Sequence, residues 1–318
     1  MIGVLHHEPF GAMGTACTLS VTARPVDARR ARRALVAGRA EVGACERVLS
    51  RFDSASDLSR LNENAGEWLE VDSRLVEALR IALRGRAATG GRFDPTILPA
   101  LVAAGYDRTF ERLEERPPRT ARGWRAAAEI EVEQDPGRAR VERGAAIDLG
   151  GIGKGYAAAR ALLAMRHAWE SLPGALVDLG GDVAVLGSPP DRGPWRIAVA
   201  DPRVPGARLG VIHIEEGGVA TSGRNARRFG PERALHHLID PATGMPAVAG
   251  PLTVTVVASD PAWAEIHATA LAISSLEDAR AYVATQDLAA LFVPSDGAPV
   301  AIGQLSFEPD VALAGVVS

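Results

Sequence analysis

The sequence predicts an α+β fold in which mixed or antiparallel sheets are flanked by helices. Strand-like apolar runs follow one another, helical segments come in groups, and the regular strand–helix alternation of a parallel sheet is missing. A chain of 318 residues that is 47% hydrophobic also has ample material for a core.

A first strand is expected at "GTACTLSVTA" (14–23). From Asp27 to about Leu49, the residues Leu35, Val42, Val48 and Leu49 recur at helical spacing, with Asp27 as N-cap. The Arg-rich start of this helix presents a wet face, with Ala31, Leu35 and Val36 turned inward. The stretch "SRFDSASDLSRLNENAG" (50–66) is polar and is expected to be a loop. A second helix spans about Ser73–Ala88, and Gly90 and Gly91 form its C-cap before Pro95. Between Trp124 and Ile147, short apolar runs flank a "QDPGR" turn, the pattern of a hairpin.

A helix from Gly155 to about Trp169 comes next, and then "ALVDLGGDVAVLG" (175–187), a strand broken at Gly180 and Gly181. The segments "PWRIAVADP" and "ARLGVIHIEEGGVATSG" are further strands. The chain closes with a strand at "LTVTVVAS", helices near 261–273 and 276–284, and the strand "LAALFVP". No internal repeat is present and no linker is clear enough to place a boundary between lobes, so 1–318 is expected to be one unit with its core at about 10–305. The stretch "EERPPRT" (114–120) is the best candidate for a surface crossing.

Net charge is −4 and Arg is scattered among Asp and Glu, which argues against a nucleic-acid surface. The N-terminus has no basic region followed by an apolar stretch, and no run reaches the roughly 18 apolar residues of a membrane span. A cytoplasmic protein without a membrane anchor is expected. The two cysteines, Cys17 and Cys45, are expected to be reduced packing residues.

Lys154, in "AIDLGGIGKGYAAARA" (146–161), is the only lysine among 35 basic residues. A coding bias strong enough to write every other basic position as Arg should have erased a lysine that served only solvation. Lys is a compact charge on a flexible stem, and Gly150, Gly151, Gly153 and Gly155 permit close backbone approach. A phosphate loop would need Gly at 148 and Ser or Thr at 155, and a dinucleotide GxGxxG read from Gly151 would need Gly at 156; Asp148, Gly155 and Tyr156 exclude both. What remains is a Gly-rich turn entering a helix, with one cation and one carboxylate, suited to an anion. In "HHLIDPATGMP", His236, His237 and Asp240 lie close to one another, and this reads either as a general base beside a carboxylate or as an ordinary turn. Glu265 and Thr269 share one helix face, as a hydrogen-bonded pair or as ligands for a hard cation such as Mg²⁺.

The ordered segments "MGTACTLSV", "LSRFDSASDLSRLN", "GGRFDPTILPAL", "AIDLGGIGKGYAAARA", "LVDLGGDVAVLG", "PWRIAVADP", "VATSG", "HLIDPATGMP" and "TVTVVASDPAWAEIHATALAI" together resemble the ApbE-like FAD:protein FMN transferases from about Met13 to beyond Ile273. The resemblance implies a two-lobed α+β enzyme that binds FAD in a cleft between its lobes. With Mg²⁺, it moves FMN onto a Thr or Ser hydroxyl of an acceptor flavoprotein, within a Ser/Thr-Gly-Ala-Ser/Thr type segment, and releases AMP. By the same resemblance, Met13 and Phe52 lie along the flavin, Phe52 where the family often has Tyr. Arg92, Phe93 and Asp94 contact FAD, as do Asp148 and Lys154 in the Gly-rich loop. His237, with Asp240, belongs to the catalytic His segment, and Gly153, Glu265 and Thr269 hold the metal.

The chain departs from the family at Gly153, usually Ala, and at Glu265, usually Asp, whose extra methylene would force a Mg²⁺ site to be rebuilt. His267 is also unusual, either a packing substitution or a polar group at the cleft, and Arg224, Arg227 and Arg228 offer either phosphate affinity or a solvated face. Two other readings use the same residues: a Mg²⁺-dependent FAD pyrophosphatase, and a flavin-binding protein whose altered metal helix no longer supports turnover.

Overall fold

The computed structural model describes residues 3–113, 119, 121, 124–225, 228–230, 232 and 235–310. Most of "EERPPRT", and Arg227, lie outside the described residues. The chain is α+β, and among the described residues every strand pairing is antiparallel.

The chain opens with β1 (Val4–Ala12) and β2 (Thr15–Ala23), followed by α1 (Ala28–Leu49) and α2 (Asp57–Glu63). A two-residue β3 (Leu69–Glu70) leads to α3 (Ser73–Ala88), α4 (Leu98–Ala104) and the hairpin β4 (Ile130–Glu133) and β5 (Arg138–Val141). Next come α5 (Gly153–Ala168), β6 (Gly174–Leu179), β7 (Asp182–Gly187), β8 (Trp195–Ala200), β9 (Arg208–Ile214) and β10 (Gly217–Gly223). Two small ribbons follow: β11 (Arg228–Phe229) with β12 (Leu235–His236), and β13 (Ile239–Asp240) with β14 (Met245–Pro246). The chain ends with β15 (Thr253–Ala258), α6 (Pro261–Leu271), α7 (Leu276–Val283), β16 (Leu288–Val293), β17 (Val300–Ile302) and β18 (Phe307–Pro309).

Eight strands form the main sheet, in the order β1-β2-β6-β7-β10-β15-β16-β17. Helices α1, α5 and α6 pack on one face, α1 against β2, α5 against β6 and β7, and α6 against β10 and β15. The smaller sheet β18-β9-β8 covers part of the other face. Burial follows the strand period of two: Ala184 joins the helix-side core, whereas Val183 and Val185 join the core beneath β8 and β9. Leu291 and Val293 likewise oppose Ala290 and Phe292. Because both faces are covered, "VAVL" (183–186) and "LAALFV" are continuously apolar rather than alternating.

Several expectations need correction. Asp27 occupies the N-cap position of α1, but its carboxylate accepts from Arg24 and Arg30 instead of capping the backbone. Val36 is 55% exposed, one position past the stripe formed by Ala31, Ala34 and Leu35. The polar stretch 50–66 contains α2, which Ser56 caps by accepting from Ser59 N–H. The end of α3 agrees with the sequence: Gly90 (φ +60°) donates to Ala87 O and Gly91 to Arg86 O, a Schellman closure.

Candidate functional site

The Gly-rich turn 150–153 delivers Lys154 to the first turn of α5, against the flank of α6. Glycine is required at 155 because a Cβ there would stand 2.3 Å from Pro261 O. With the helices this close, Gly155 N–H donates to Glu265 Oε2 at 2.8 Å. A Cβ at 151 would lie 2.9 Å from Thr269 Oγ1, so that glycine makes room for the hydroxyl. At 153 the nearest atom is Met13 Cε at 3.7 Å, so the family's Ala would also fit.

Lys154 does not face open solvent as a free cation. Its ammonium is paired with Asp182 and, at 3.1 Å, with Glu265 Oε1; both carboxylates are 3% exposed. Asp182 opens β7 directly after the Gly180–Gly181 turn (φ +70° and +95°), and its Oδ1 accepts from Thr221 N–H at 3.3 Å. Among the described residues Asp182 Oδ2 and Glu265 Oε1 have no hydrogen-bond partner, which leaves the ammonium to offset them.

Asp148 is held by Arg51, Nε to Oδ2 at 2.6 Å, and accepts from Gly150 N–H. The Arg51 guanidinium lies between two rings, 4.1 Å from that of Phe52 and 4.7 Å from that of Tyr106, and donates to Tyr106 O. Arg51, Phe52 and Tyr106 line both of two chambers, of about 200 and 670 Å³. Arg92, Phe93, Asp94, His237, Glu265 and Thr269 line the smaller one. Met13 and Gly153 line the larger, while Phe52, Asp148 and Lys154 belong to both.

Met13 sits in the β1–β2 turn with φ +52°, and its N–H donates to Glu46 Oε1 at 2.6 Å. Asp94 is 4% exposed, and its oxygens are used within the fold: Oδ1 accepts from Thr96 N–H and O–H, and Oδ2 from Ala127 N–H. His237 is half-buried, edge-on to Tyr106 at 6.4 Å. Asp240 lines neither chamber; its Oδ1 accepts from Ala242 N–H, which shapes the turn behind His237. Burial lowers the pKa of the neighbouring His236, whose Nε2 meets Ala247 O at 3.0 Å.

His267 is a packing substitution. It is buried against Trp263, its Nδ1 meets the Tyr282 hydroxyl at 2.8 Å, and burial pushes its pKa down to about 4. Arg224 donates to Val248 O and Ser295 Oγ, away from both chambers. Both cysteines are free and buried, and burial drives the Cys45 thiol up to about 12. Among the described residues no helix is long and apolar enough to cross a membrane.

Among the described residues no cluster of three or more His, Cys, Asp or Glu side chains is able to hold a metal. An ion here would draw on Glu265, Thr269 and backbone or ligand oxygens. The buried Glu265 Oε1, without a hydrogen bond and beside a hydroxyl on the same helix face, fits a hard cation such as Mg²⁺. Sequence reasoning missed Arg51, Tyr106, Glu46 and Asp182. Asp182 had one signal, a lone charge opening the apolar run "DVAVL" after two glycines.

Aromatic rings beside a charged floor suit a ligand that is planar at one end and anionic at the other, and the fold and cavity define a protein of that class. The chain belongs to the ApbE family, whose profile it matches over residues 13–292. It is 32% identical over 251 residues to an FAD:protein FMN transferase of Treponema pallidum, covering 73% of this chain and 68% of that protein. A Klebsiella pneumoniae protein of the same name is 28% identical over 296 residues, covering 90% and 83%. The crystal structure of the ApbE protein of Thermotoga maritima superposes with a TM-score of 0.80 at 27% identity, covering 98% of this chain and 99% of that one. The apo flavinyl transferase ApbE of Pseudomonas stutzeri shares the fold, with a TM-score of 0.75 at 22% identity over 99% and 98% of the two chains.

Proposed function

We propose that the protein moves FMN from FAD onto a Ser or Thr hydroxyl of an acceptor flavoprotein and releases AMP, with Mg²⁺ as its metal. The observation that carries this reading is Lys154, bracketed by two buried carboxylates, at a cavity whose wall is built from Phe52, Arg51 and Tyr106. The names of the relatives support the same transfer. The whole chain would act as one unit in the cytoplasm.

The acceptor oxygen bonds to the flavin-side phosphorus, the bond from that phosphorus to the bridging oxygen breaks, and its electron pair leaves with AMP. Positioning and charge neutralisation do most of the work in such transfers. Two cations at the floor, Lys154 and Arg51, face three carboxylates, Asp148, Asp182 and Glu265, for a net charge of −1. A diphosphate adds more negative charge, so the site calls for a divalent ion. Glu265 Oε1, Thr269 Oγ1 and the Gly153 carbonyl would hold Mg²⁺, which offsets the charge of the diphosphate. Met13 and Phe52 would flank the flavin, and Arg92, Phe93 and the backbone at Asp94 the rest of FAD. His237 would take the hydroxyl proton, while Asp240 holds its turn.

The test is incubation with FAD and Mg²⁺, with and without an acceptor carrying a Ser/Thr-Gly-Ala-Ser/Thr segment, following AMP and the acceptor's intact mass. AMP together with an acceptor heavier by one FMN is expected. Free FMN and AMP with an unmodified acceptor would point to a pyrophosphatase, and FAD bound but left whole to a carrier.

A further inference from the structure

Lys154 serves two buried carboxylates, and they are not equivalent. Glu265 has a second anchor, since its Oε2 already accepts from Gly155 N–H, and its Oε1 is the atom that suits a metal. Among the described residues Asp182 has only the long contact from Thr221 N–H, and its Oδ2 meets the ammonium alone. A carboxylate buried this deeply is costly unless a cation stays with it. One compact ammonium meets both carboxylates here, a geometry that a planar Arg fork on a longer stem would not reproduce, which fits a lysine in a chain that otherwise writes Arg.

We propose that Asp182 is the positioning residue for Lys154. It keeps the ammonium at the cavity floor, aimed at the diphosphate, once Glu265 Oε1 turns to the metal. This deepens, and rests on, the proposed transfer activity. Asp182 touches no substrate in this scheme and acts through Lys154 alone.

The test is a double-mutant cycle of Asp182→Asn and Lys154→Ala, with Asp182→Glu as the conservative variant. In the transfer assay, Asp182→Asn is expected to lower kcat by about 10- to 100-fold, the scale of a small misplacement of a reacting group. FAD affinity, read from flavin fluorescence, should stay within about threefold, and Asp182→Glu should recover part of the rate. In the double variant the two losses should not multiply, because the second residue has nothing left to position.

Melting of the metal-free, FAD-free protein gives an independent readout. Lys154→Ala leaves both carboxylates unpaired and should melt below wild type. Adding Asp182→Asn to it should raise the melting temperature by a few degrees, whereas Asp182→Asn alone should change it little. An undiminished kcat in Asp182→Asn overturns the proposal, as do multiplying losses or equal destabilisation in both backgrounds. If wild type shows no transfer, the functional reading fails, while the melting cycle still decides whether Lys154 and Asp182 act as a pair.

Discussion

Lys154 and His237 line the same cavity from opposite kinds of support. Lys154 stands on α5, a 16-residue helix packed between α1 and α6 over the main sheet, and its partners come from β7 and α6. His237 stands between two-residue strands, held by a small cluster in which α4 meets Tyr106, Phe229 and Ile239. The charged floor is thus built into the core, and the opposite wall is a set of turns. If the proposed transfer holds, neutralising the diphosphate would fall to the half built into the core. The turns are where partner choice can vary without disturbing the core.

The largest effect should come from the rigid side. Lys154→Ala should lower turnover by about 10²- to 10³-fold, and Lys154→Arg should not restore it, because a planar fork would not reproduce the single ammonium shared by Asp182 and Glu265. Near wild-type turnover in the Arg variant would remove the geometric half of the comparison. Gly155→Ala comes next: its Cβ would strike Pro261 O and push α5 from α6, costing about 1–3 kcal/mol in denaturant unfolding as well as most of the activity.

Between the two regions lies Arg51. Arg51→Lys would keep the charge but lose the stacking on Phe52 and Tyr106, and FAD binding by fluorescence titration should weaken about tenfold. The smallest effect belongs to the turns. The pKa of His236 in the folded chain lies below its unfolded value near 6.5, so the neutral form is favoured on folding. Its contribution is full above that value and is lost as pH falls through the folded one. Wild type should therefore lose melting temperature as pH drops below about 6.5, and His236→Gln should flatten that part of the profile. An unchanged slope would mean that the turn region is not packed as described.

Much of the fold was legible. Helix α3 was read to the residue, because Gly90 and Gly91 mark its end locally. Helix α2 escaped because seven residues with few apolar positions carry no helical period, and β1 because it is a half-exposed edge strand paired only with β2. In the site, Lys154 stood out by composition, and Glu265 and Thr269 by their spacing on one helix. At Asp240 the sequence is ambiguous, since a carboxylate near a His looks the same whether it faces the cavity or closes a turn; its Oδ1 accepts from Ala242 N–H.

By itself the sequence determined where most helices and strands lie, that a Gly-rich turn enters a helix at Lys154, and the family to which these segments belong. Periodicity, capping and turn chemistry act over a few residues, so the chain states them locally. Only the tertiary structure decided what Lys154 faces. Its two carboxylates come from a different strand and a different helix, and their burial makes the pairing obligatory. The strength of such a charge depends on the water excluded by distant parts of the chain, and short-range pattern does not encode it.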